Sequence, residues 1–151
     1  AEAPVPKGAI GMFDFPDMTV RGTVIRARDC DDIVGVVSIL ASLAALVRDR
    51  KPPRVAGLLT RAEEGGFFGA LQVVRDRTVP RAAVVISLEA SSRAAGARVG
   101  GGPVVRVGDR ATVFAPEVTA FLVATAKALA RARRGFPFQR SHRRRSGQAR
   151  Y

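Results

Sequence analysis

The chain has 151 residues, 47% of them hydrophobic and 25% charged, with a formal net charge of +12; that is enough to bury one domain's core and too apolar for a disordered polypeptide. One cysteine and one histidine exclude a disulfide scaffold and a four-ligand structural zinc site. Residues 131–151 hold eight Arg and no acid, while the other 130 residues carry 17 basic and 13 acidic side chains, so the body is only mildly basic and its pI says little about function.

Residues 1–20, which begin with Ala and include Pro4 and Pro6, read as an entry segment, with a short strand over 8–15 stopped by Pro16. Residues 23–28 alternate polar Thr23 and Arg26 with apolar Val24 and Ala27, the period of a strand. Asp31 and Asp32 stand where an N-cap and first-turn acid belong, and the apolar run 33–47 predicts a helix. At 15 residues the run falls short of the roughly 20 that a spanning helix needs, and reads as a core helix instead. Lys51-Pro52-Pro53 breaks it.

Residues 55–60 are an apolar run of the kind expected for a buried strand, followed by the loop Glu63-Glu64-Gly65-Gly66. A helix is predicted over 67–76, a second buried strand over 82–88 closed by Glu89, and short strands over 103–107 and 111–114. Gly100-Gly101-Gly102-Pro103 lacks the Lys-Ser/Thr of a phosphate loop and reads as a turn. A last helix, 116–133, starts with Pro116, which suits a first turn. The alternation of strands and helices predicts an α/β fold, a three-layer sandwich with a mostly parallel central sheet.

Ligand and catalytic sites of open α/β sheets lie at the carboxyl ends of strands. Asp31 and Asp32 follow the first long strand, Glu63 and Glu64 the second, and Glu89 the third. Taken alone, each has a structural reading: a helix cap, a solvated turn, a strand end. Their coincidence at three strand ends points to divalent metal, because like charges gathered at one edge need a cation or bound protons. Carboxylates shared between two ions hold them about 3.5–4 Å apart and activate a bridging water. Cys30, beside the cluster, reads as a small buried thiol, and its being the single cysteine fits a reducing, cytoplasmic setting. His142 sits within Arg140-Ser-His-Arg-Arg-Arg and reads as a solvated tail residue rather than a ligand.

Three stretches occur in an order that resembles a known family: Arg28-Asp-Cys-Asp-Asp-Ile-Val-Gly35, Thr60-Arg-Ala-Glu-Glu-Gly-Gly-Phe-Phe-Gly-Ala70 and Val84-Val-Ile-Ser-Leu-Glu89, with Gly101-Gly-Pro-Val-Val-Arg-Val-Gly-Asp109 after them. They are similar to the co-catalytic zinc aminopeptidases, in the tetrahedral- and glutamyl-aminopeptidase branch of metallopeptidase clan H. The likeness spans most of the chain and makes residues 21–139 a partial, zinc-peptidase-like catalytic domain, with 1–20 returning from an absent lid domain.

The resemblance implies two zinc ions, with cobalt or manganese as substitutes, and a peptide substrate cleaved at its N-terminal bond by metal-activated water. It implies that Asp31 bridges both ions through a cis Asp31–Asp32 peptide, that Asp32 supports Asp31, that Glu64 ligates one ion and Glu89 the other, and that Glu63 is the general base. Gly35 would let the helix approach the sheet. The family also uses two His ligands, one upstream of the lid and one after a Gly-Gly-Thr turn. Both are missing here, and the second is replaced by residues 140–151, an Arg-rich run without apolar period that reads as shifted-frame or degenerate, disordered tail.

The expectation is a metallopeptidase fragment that binds zinc weakly and is inactive or nearly so, with no membrane partner and with self-association open to it. Two other readings stand beside it. One is a magnesium- or manganese-dependent phosphoesterase or nuclease using the same carboxylates without imidazole. The other is a non-enzymatic basic nucleic-acid-binding protein; here the tail predicts only non-specific, salt-sensitive polyanion binding.

Overall fold

The computed structural model describes residues 4–50, 54–90, 97–109 and 112–141. The elements in chain order are β1 (Met18–Arg21), β2 (Val24–Ala27), α1 (Cys30–Arg48), α2 (Phe68–Arg75), β3 (Val104–Arg106), α3 (Pro116–Ala132) and β4 (Gln139–Ser141). The chain divides into two compact units, Ala1–Gln72 with Leu88–Ala90, and Val73–Ser87 with Ser91–Tyr151.

In the first unit, β1 and β2 pair antiparallel, with Met18 opposite Ala27 and Arg21 opposite Val24. The strand expected over 8–15 lies instead at Met18–Arg21, and 8–15 has no strand assignment. The reason is local: the two residues Gly22 and Thr23 close a tight turn, so the stretch immediately before them is the one that pairs with β2. Ahead of the hairpin, the rings of Phe13 and Phe15 stack with centroids 5.4 Å apart.

Helix α1 begins at Cys30, earlier than the apolar run alone suggests, because Ile33 N–H already donates to Asp29 C=O at 3.2 Å. Asp31 and Asp32 within this first turn keep non-helical backbone angles. By length and composition α1 is long and apolar enough to cross a membrane, a test that core helices of soluble proteins also pass. One of its faces is covered by the extended segment around Gly57, where an added Cβ would stand 2.6 Å from Ile39 Cγ2 and 2.9 Å from Leu43 Cδ1. Only a residue without a side chain permits that approach.

The runs 55–60 and 82–88, expected as buried strands, have no ladder partners among the described residues. An apolar run reports a tendency to be buried. It does not supply the neighbouring strands whose N–H and C=O groups a parallel sheet requires.

The second unit contains a β-α-β arrangement. Strand β3 pairs parallel with β4, Val104 opposite Gln139 and Arg106 opposite Ser141, and α3 connects them and packs on β3. Pro116 opens α3, Thr119 and Ala126 are its buried residues, and Thr119 Oγ1 donates to Ala115 C=O at 3.0 Å. The expected strand near 111–114 is reduced to a single antiparallel bridge, Gly108 with Val113. Strand β4 extends two residues into the Arg-rich run; His142 and the rest of that run lie outside the described residues. Helices together with a parallel crossover make this an α/β chain.

Candidate metal centre

Asp31, Asp32, Glu63, Glu64 and Glu89 all belong to the first unit. Asp29 precedes α1 in the left-handed region, φ 58° and ψ 32°, and turns the chain out of β2 into the helix. The Asp31–Asp32 peptide bond is cis, the geometry that the resemblance implies. Asp31 is exposed, whereas Asp32 is half-buried and accepts a hydrogen bond from Gly35 N–H at 3.0 Å through Oδ1. The side chain thus caps a free donor of the first turn and adds negative charge where the helix dipole is positive.

Gly35 is buried for a reason other than the one expected from the sequence. A Cβ there would meet the Asp32 carboxylate, 2.8 Å from its Cγ. Its missing side chain makes room for Asp32, and the close approach of the helix to the extended chain is made by Gly57 instead.

Glu63 and Glu64 sit in a tight loop. Gly66 N–H and Phe67 N–H both donate to Glu63 C=O, at 3.0 and 2.9 Å, while Phe68 N–H donates to Ala62 C=O and Gly69 N–H to Arg61 C=O. These bonds fix the backbone of the loop against the start of α2 and leave both glutamate side chains exposed. Glu89 is exposed at the end of the 82–88 run. Among the described residues, no group of three or more His, Cys, Asp or Glu side chains comes together to hold a metal ion. As placed, the carboxylates do not fit around a metal.

Two residues that sequence reasoning passed over organise the surroundings. Arg28 donates from Nη2 to Phe15 C=O at 2.7 Å, lies 3.5 Å from Asp17 and 3.9 Å from Asp14, and its buried Nε has no partner. It ties residues 14–17 to the end of β2, one residue before the turn into α1. Its acidic partners lie on the far side of the hairpin, so no spacing in the sequence announces them. In the second unit, Gln139 accepts from Arg98 N–H at 2.9 Å and donates to Arg98 C=O and Gly102 C=O, at 3.1 and 3.3 Å. It holds the glycine-rich stretch as the turn that the sequence predicts. Cys30 is a free thiol that donates to Ala27 C=O at 3.5 Å, in keeping with a structural role.

The sequence profile of the M42 glutamyl aminopeptidases matches residues 1–140. The chain belongs to the M42 glutamyl aminopeptidase family. The matched span includes all five carboxylates, the hairpin and all three helices. Comparison with characterised proteins and with solved structures returns no match. Membership makes this a metallopeptidase-like aminopeptidase domain, of a family that is typically metal-dependent.

Proposed function

We propose that the chain is an aminopeptidase-type hydrolase domain acting on the N-terminal bond of a peptide. The observation that carries this is the M42 match running unbroken across the carboxylates of α1, the Glu63–Glu64 loop and Glu89. In this reading Asp31, Glu64 and Glu89 are the metal-facing carboxylates, Asp32 holds the backbone at Asp31 through its bond to Gly35, and Glu63 carries the proton from the attacking water to the leaving amine. Zinc is the metal, bound as a pair in complete relatives, with cobalt or manganese as substitutes. The β3-α3-β4 arrangement belongs to a three-layer sandwich with a mostly parallel sheet, and the single thiol suits the cytoplasm.

The chain on its own binds zinc weakly and has little or no turnover. It contains one histidine, His142, in an Arg-rich setting, and three carboxylates without imidazole make a poor zinc site. Hydrolysis of an aminoacyl anilide in the presence of zinc tests this. The expected rate is at or near background. Clear turnover that Glu63→Gln abolishes would show the centre to be complete. Cleavage of a phosphate ester with magnesium would favour the phosphoesterase reading instead.

A further inference from the structure

Helix α1 is apolar on two faces, and only one of them is covered. Ile39 and Leu43 meet the segment around Gly57, and Val36 and Leu46 beside them are half-buried. The other face carries Ile33, Val37, Leu40, Ala44 and Val47. All five are exposed, the four large ones at 54, 58, 52 and 72%. Their spacing of four, three, four and three residues is that of a two-helix seam. A seam of this kind left open to water is the sort of apolar surface that marks an interaction site.

The ends of the helix indicate what covers it. Asp29 and Asp31 are exposed at its N-terminal end. Arg48, whose side chain is 78% exposed, and Arg50 stand at the C-terminal end, with Asp49 engaged by Arg48. A second α1 laid antiparallel brings the acidic end of each helix to the basic end of the other and opposes their dipoles. A parallel arrangement sets like charge on like charge.

We propose that this seam is an interface between two copies of the chain, α1 against α1, antiparallel about a two-fold axis at Leu40. In that register Leu40 faces Leu40 of the second copy, Val37 faces Ala44, and Ile33 faces Val47, so that one patch serves both sides as a two-fold requires. The inference does not depend on the peptidase reading, since none of the five seam residues is among the site carboxylates.

Light scattering on the eluting full chain, together with oxidative cross-linking of single-cysteine variants in a Cys30→Ser background, tests it. The expected mass is twice the 16.0 kDa of the monomer. Leu40→Glu is expected to weaken dimerisation at least about thirtyfold, as loss of a central anchor does. Leu40→Cys should form a disulfide-linked dimer, and Val47→Cys, which lies opposite position 33 rather than its own copy, should not. A monomer at all concentrations, a dimer indifferent to Leu40→Glu, a Val47→Cys cross-link, or partition into phosphatidylcholine vesicles in place of dimerisation would each overturn the proposal.

Discussion

The carboxylate of Asp32 and the backbone N–H of Gly35 form one unit: Oδ1 accepts at 3.0 Å, and the carboxyl group occupies the space that a side chain at position 35 would take. This gives Gly35→Ala an unusual sign. In an ordinary helix interior the change stabilises by about 1 kcal/mol. Here the Cβ displaces the cap, and a net loss of about 1–2 kcal/mol is expected. Urea unfolding followed by circular dichroism measures it, and in an Asp32→Ala background the same change should become neutral or stabilising.

The approach of α1 to the extended chain predicts a second reversal. Gly57→Ala places a Cβ against Ile39 and Leu43 and should destabilise by about 1–3 kcal/mol, the usual range for overpacking. Ile39→Ala removes the nearest obstacle. The double variant should therefore be more stable than the sum of the single losses, which a double-mutant cycle in urea reads directly.

Gln139 makes both kinds of hydrogen bond at once, accepting from Arg98 N–H and donating to Arg98 and Gly102 carbonyls. Gln139→Glu keeps the acceptor and loses the donor, so two carbonyls lose their partner and gain a repelling oxygen. A loss of about 1–3 kcal/mol is expected, with faster amide exchange at Arg98. Gln139→Ala should match it within a factor of two; a glutamate variant as stable as the parent would remove the donor role.

Arg28→Ala should free residues 14–17. Its ion pairs with Asp14 and Asp17 involve exposed carboxylates and contribute little, so the effect rests on the bond to Phe15 C=O, worth about 1 kcal/mol or somewhat more. Limited proteolysis should cut faster between Phe13 and Met18, and Arg28→Lys should restore part of the protection.

The parts of the fold that were legible in the sequence are those specified by neighbours along the chain. The two apolar helices announce themselves by spacing and by Pro116, and β2 by its alternation. The segments 55–60 and 82–88 show where a run of apolar residues stops being informative, because strand pairing depends on partners that the run does not contain. The same limit applies at the site. The positions of the five carboxylates follow from motif spacing, and so does the cis Asp31–Asp32 bond, through resemblance. Arg28 and Gln139 act across 13 and 41 residues of sequence, and nothing in their own surroundings gives that away.

Zinc titration of the full chain, compared with Asp31→Ala, Glu64→Ala and Glu89→Ala, reaches the account's main assertion most directly. Weak binding is expected, falling at least about tenfold with each carboxylate removed, as for groups that hold or orient a metal. Zinc affinity indifferent to all three substitutions would contradict the assignment of these residues as a metal centre.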